Sequence, residues 1–121
     1  MVRVLDFLAL LLYCALIYWL SDQQTLPTPD LFDSEDKLIH FGAYFVMGLF
    51  AWRSFKHLIS MPIILALLSI VFCSLYGASD EWHQSFVIGR VSDAVDWLAD
   101  TSGAIVGVFL LHKLRKSRQF Q

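Results

Sequence analysis

The chain has 121 residues, 57% of them hydrophobic and 17% charged, with a mean hydropathy of +0.59, which is too apolar for an ordinary water-soluble domain of this size. A net charge of −2 and the lack of a basic aromatic patch argue against nucleic acid as a partner. The composition is that of an integral membrane protein, in which the place of each charge matters more than the sum.

A membrane-crossing helix needs roughly 17–25 mostly apolar residues, and four such segments follow one another along the chain. The first covers about 4–20. Arg3 before it could mark a secretory leader, but Tyr18, Trp19 and Leu20 are bulky where a cleavage site needs small side chains. Tyr13 argues likewise against lipoprotein-type cleavage before Cys14, so this is read as a permanent span. A Pro/Asp-rich connection, SDQQTLPTPDLFDSEDK, leads to a second, shorter span over about 38–52. A basic turn, RSFKH, precedes the third span at 61–77, and a polar loop around SFVIGRVSD precedes the fourth at 95–112. The expected fold is all-α: one integral membrane four-helix bundle over residues 1–121. Cys14 and Cys73 both fall inside spans, where a structural disulfide is not expected.

Orientation follows from the basic residues. Arg3, Arg53, Lys56, Lys113, Arg115, Lys116 and Arg118 fall on one side of four spans, and Lys37 and Arg90 on the other. The positive-inside rule then puts both termini in the cytoplasm and the two remaining loops outside, as expected of a multi-pass protein of the cell inner (cytoplasmic) membrane.

The polar residues gather at the outer ends of three spans. The second carries Asp36, Lys37, His40 and Tyr44; the third Tyr76, Asp80, Glu81 and Gln84; the fourth Asp93, Asp96 and Asp100, with Arg90 just before it. Lys37, His40 and Tyr44 stand at i, i+3 and i+7 and share one helical stripe. Gly77, Glu81 and Gln84 share another if the third helix runs as far as Gln84. Asp93, Asp96, Asp100, Gly103 and Gly107 form a third that drifts over less than a quarter turn at about 100° per residue. Ionisable groups among lipid tails cost several kcal/mol each, so the stripes are expected to face one another around a polar pocket at the outer membrane face.

These segments also resemble a known family. DKLIHFGAY, YGASDEWHQSFVIGR and SDAVDWLADTSGAIVG are similar to the motif set of the VanZ-like membrane proteins: Lys-x-x-His-Phe, then Gly-x-x-x-Glu-x-x-Gln, Gly-Arg, and an Asp-containing helix ending in Gly. The resemblance covers about residues 36–107. Two positions depart from it: Ile88 stands where a Pro-Gly-Arg turn would have proline, and Asp100 stands where longer members often carry Asn. The resemblance implies an outward-facing membrane role, since the family takes its name from a member linked to resistance to a glycopeptide antibiotic that acts on lipid-linked cell-wall precursors. It implies no defined reaction.

Two classes of function fit. In the first, the pocket binds an anionic amphiphile or lipid head group through Lys37, His40, Tyr44, Glu81, Gln84, Arg90, Asp93, Asp96 and Asp100. Its partners are then membrane lipids or lipid-linked envelope precursors. In the second, the chain is a small intramembrane enzyme acting on a phosphorylated or lipid-linked head group, with His40 and Glu81 as catalytic candidates. The first is preferred because binding needs less: Ser79, Ser85 and Ser92 have no paired base. No cofactor is expected, and no metal, since there is no His-x-x-x-His or Cys pair and Lys37 and Arg90 would repel a cation. Structural roles compete with these. Glu81 and Arg90 could form a buried ion pair, Asp93 and Asp96 serve the helix dipole, Gly103 and Gly107 serve helix packing, and Trp19, Trp82 and Trp97 form an interfacial belt.

Overall fold

The computed structural model describes residues 1–24 and 35–120. Four helices run through them: α1 (Val2–Asp22), α2 (Glu35–Phe55), α3 (Pro62–Gln84) and α4 (Ala94–Gln119). Each extends past the apolar segment that announces it. Pro62, with its φ already helical and no N–H to leave unpaired, opens α3. Asp93 caps α4 by accepting the Val95 N–H at 2.9 Å. Arg53 lies inside α2 rather than in the turn after it, and α3 runs through to Gln84. Most of the Pro/Asp-rich connection lies outside the described residues.

Helices α1, α3 and α4 are long and apolar enough to cross a membrane. At 1.5 Å per residue α4 is about 39 Å long, more than the hydrocarbon core of roughly 30 Å, so its basic last turns project beyond it. The shorter apolar run of α2 has a different cause: this helix opens with Glu35, Asp36, Lys37 and His40, ends with Arg53, and is the enclosed one. It packs against all three others and most extensively against α4, whereas α1 does not touch α4.

The bundle is inverted with respect to a soluble protein. Leu8, Leu12, Leu67, Val71, Ile105 and Phe109 point outward, while Asp6, His40, Asp80, Glu81, Gln84, Asp96 and Asp100 are buried. Lipid tails are as apolar as leucine, so helix association must come from close packing and interhelical hydrogen bonds. Both are present. A Cβ on Gly103 or Gly107 would run into the carbonyl oxygens of Phe41 and Phe45, so these two glycines let α4 lie against the α2 backbone. The Tyr13 hydroxyl donates to the Ala43 carbonyl at 2.6 Å, and that of Tyr76 to the Cys14 carbonyl at 2.5 Å, fixing α1 to α2 and α3 at mid-height. Trp97 is not a simple belt residue, since its Nε1 donates to the Ser74 carbonyl of α3 at 2.9 Å. Trp19 and Trp82 do remain exposed.

Both termini lie at one end of this up-and-down bundle. There Asp6 of α1 accepts from Arg53 Nε at 3.2 Å and is 2.8 Å from Nε2 of His57. The opposite, far end collects the polar stripes.

Candidate functional site

Helical spacing sets the far-end site. Gly103 stands one turn beyond Asp100, and the approach it permits brings α4 carboxylates against the first turns of α2. His40 Nδ1 then lies 2.7 Å from Asp100 Oδ1, with Glu81 Oε1 3.8 Å from the same nitrogen. His40 Nε2 is 3.8 Å from Asp36 and 4.0 Å from Asp96, beyond hydrogen-bond reach. Lys37, one turn earlier, reaches Asp93 at 3.2 Å and Asp96 at 3.0 Å. Gly77 on α3 faces Asp100, where a Cβ would lie 2.9 Å from Oδ2.

A second group adjoins the first. Asp80 accepts hydrogen bonds from the Tyr44 hydroxyl at 3.2 Å and from Ser21 Oγ, which in turn stands 3.5 Å from Gln84 Nε2. Arg90 enters from the loop 85–93, in which Gly89 takes a φ of +85°, a left-handed conformation that glycine adopts without strain. This positive φ occurs without the proline of the related motif; the glycine suffices for the turn.

Arg90 does not pair with Glu81. Its Nη1 donates to the Leu20 carbonyl at 3.2 Å and the Gln23 carbonyl at 3.1 Å, closing the open C-terminal end of α1. Glu81 instead accepts the Asp93 backbone N–H through Oε2 at 3.0 Å, tying the end of α3 to the start of α4. The buried ion pair anticipated from sequence is therefore replaced by two separate backbone locks.

All nine sequence-expected site residues thus sit at one end of the bundle, eight of them in two adjacent layers and Arg90 beside these at the end of α1. Lys37, Asp93 and Asp96 form the outer one, and Asp93 is held below the ordinary carboxylate range by the Val95 N–H and then by Lys37. His40, Glu81 and Asp100 form the deeper one, joined to Tyr44 and Gln84 through Asp80. Asp80 and Ser21 are the additions. Asp80 is four residues before Gln84 and shares its face, a relation visible in the spacing; Ser21 is a lone serine at the end of an apolar helix and carries no such signal. Within the deep layer two carboxylate oxygens, Glu81 Oε1 and Asp100 Oδ2, are enclosed without a hydrogen-bond partner. Such groups are costly unless something meets them.

Ligand atoms of His40, Asp80 and Asp100 lie within 4.8 Å of one another, as do those of Asp36, His40 and Asp96, spacings that a divalent cation could bridge. In both sets His40 already faces carboxylates, and in the second Lys37 holds Asp96 with a charge that opposes a cation.

The sequence profile of the VanZ/LLP1 family matches residues 7–115. The chain belongs to the VanZ/LLP1 family. The match begins within α1, so the first helix, outside the motif set at 36–107, is part of the family unit. No curated protein and no solved structure matches the chain. In this VanZ/LLP1 membrane protein the residues Lys37, His40, Glu81, Gln84, Arg90, Asp96 and Asp100 meet at the end of the bundle away from the termini.

Proposed function

We propose that this VanZ/LLP1 protein binds the polar head of a membrane amphiphile at the outer face of the cytoplasmic membrane, with both termini in the cytoplasm. What supports the reading is a cavity of about 60 Å³ at the far end, lined by His40, Tyr44, Asp80, Gln84 and Arg90 and walled by Ile17, Leu20, Ile39 and Ala43. Polar floor and apolar walls suit a molecule with a small polar group and a lipid tail. The floor is mixed in sign, with Arg90 and His40 beside Asp80. A head group carrying both an anionic group and hydroxyl or ammonium donors matches it better than a bare anion. Lys37, held by two aspartates, then acts by positioning α4 rather than by gripping the ligand. Lipids and lipid-linked envelope precursors carry such heads, which would place the protein in cell-envelope function and glycopeptide resistance.

The test is purification into nanodiscs of defined lipids, with mass spectrometry of what stays bound. Tyr44→Phe, which keeps the ring but loses the donor to Asp80, and Arg90→Gln are expected to lose retained lipid that the parent holds. Equal retention by parent and both variants would refute the reading.

One observation favours an enzyme as a second reading. An imidazole bonded to a buried carboxylate through Nδ1, with Nε2 beyond hydrogen-bond reach of Asp36 and Asp96, is how a general base is oriented. In that case candidate phosphorylated lipids are converted by the parent and left intact by His40→Gln and Glu81→Gln, which keep size and polarity.

A further inference from the structure

The terminal end carries a second cavity, larger than the first and of opposite sign. It has a volume of about 680 Å³ and lies between the end of α2 and the last turns of α4. Lys56, Arg115 and Arg118 line it together with Trp52, Leu111 and Leu114. Arg53 and His57 also face it, but both are engaged by Asp6, at 3.1 and 2.8 Å. Among the described residues no carboxylate oxygen lies within 4 Å of Lys56, Arg115 or Arg118. Arg115 and Arg118 therefore share one concavity with no carboxylate in contact among the described residues, and Lys56, which also feels the charge of Asp6, joins them.

A second observation is independent of charge. Trp52 is 7% exposed, and among the described residues its enclosed Nε1–H has no acceptor. A buried indole N–H normally finds a partner, so an acceptor is missing beside this cavity. The Arg115 guanidinium lies 6.0 Å from the centre of the Trp52 ring, within cation–π range, which rests that planar fork on the wall of the cavity.

We propose that this cavity binds a phosphate group, carried either by an anionic phospholipid of the adjoining leaflet or by a small soluble phosphate compound. Guanidinium forks match phosphate oxygens in pairs, and Lys56 adds a point charge. The volume accommodates a head group rather than a single ion. Leu111 and Leu114 give the site an apolar side along which an acyl chain can run, and basic pockets at the cytoplasmic ends of transmembrane helices are where anionic head groups bind. The site uses none of the far-end residues and stands apart from the function assigned to them.

The experiment uses the full chain in detergent micelles and reads bound mass by native mass spectrometry. The probes are phosphatidylglycerol, phosphatidylcholine and inorganic pyrophosphate. Phosphatidylglycerol or pyrophosphate should be retained in preference to phosphatidylcholine, the first identifying a lipid and the second a soluble source. Arg115→Gln with Arg118→Gln should lower that retention by about tenfold, given the strength of two basic contacts at such a surface. Trp52→Phe, which keeps an aromatic ring under Arg115, should weaken it less than the arginine pair does. Lys113→Gln with Lys116→Gln, a pair of equal charge outside the cavity, should leave it nearly unchanged. No preference over phosphatidylcholine, or an equal loss in both double variants, would overturn the site; if Trp52→Phe does not fold, the two charge-matched pairs still decide.

Discussion

Nδ1 of His40 and Oδ1 of Asp100 lie 2.7 Å apart across sixty residues of sequence, and His40 is 7% and Asp100 0% exposed. Both are shielded from bulk solvent. Removing one side of a buried pair strands the other, at a cost of about 3–5 kcal/mol. His40→Ala and Asp100→Ala are each expected to destabilise the protein in detergent on that scale. The double variant should cost clearly less than the sum, since neither group is then left behind. Strictly additive losses in a denaturation cycle would mean that the two do not support each other.

The glycines of the bundle give a paired test. Gly103→Ala puts a methyl into the Phe41 carbonyl and must push α4 away from α2, costing about 1–3 kcal/mol or more by overpacking. Gly42, in the middle of α2, has nothing within 4 Å of where its Cβ would be, so Gly42→Ala should instead stabilise by about 0.5–1 kcal/mol through helix propensity. Melting temperatures that move in the same direction for both variants would contradict the α2–α4 packing.

Asp93 provides a pH signature. Its carboxyl is held below the ordinary range by the Val95 N–H and by Lys37, so its contribution to stability is present above the unfolded pKa and is lost as pH falls through the folded one. Asp93→Asn keeps the helix cap, because Asn caps as well as Asp, but gives up the attraction to Lys37. The parent should therefore melt above the variant at neutral pH, with the gap closing below about pH 4. A gap of the same size at pH 7 and pH 3 would rule out the charge on Asp93 as its source.

Orientation is tested by accessibility. Lys56→Cys, at the terminal end, should be labelled by a membrane-impermeant thiol reagent only after the cells are opened. Val91→Cys, in the exposed loop at the far end, should be labelled on intact cells. The background is a Cys14→Ala, Cys73→Ala chain. The reverse pattern would turn the molecule over and put the far-end site in the cytoplasm.

Most of the fold was legible because membrane helices announce themselves. The apolar runs of α1, α3 and α4 are long, and the period of the polar residues at the far ends of α2, α3 and α4 gave both the stripes and the end of the bundle where they meet. Helix ends were legible less well: the apolar run of the third span stops at Gly77, whereas α3 continues to Gln84 through Asp80 and Glu81, which face the interior. Arg90 shows a deeper limit. Its acceptors are the backbone carbonyls of Leu20 and Gln23, which every sequence would offer, whereas Glu81 gave a tempting side-chain partner nine residues away. Asp6 and Ser21 were passed over for the same reason, single polar residues whose meaning lies in the helices opposite.

The dependence of α2 on α4 has a consequence for biogenesis. Synthesis runs from the amino terminus, so α2 emerges with Lys37 and His40 while the carboxylates that receive them, Asp96 and Asp100, are still to be made. Being the least apolar of the four, it is poorly suited to enter lipid by partition alone. Its place in the bilayer is secured when the last helix arrives and its glycines seat against the Phe41 and Phe45 carbonyls. A ribosome halted before α4 would leave α2 stranded at the interface, and the far-end site is completed only when the final helix enters the membrane.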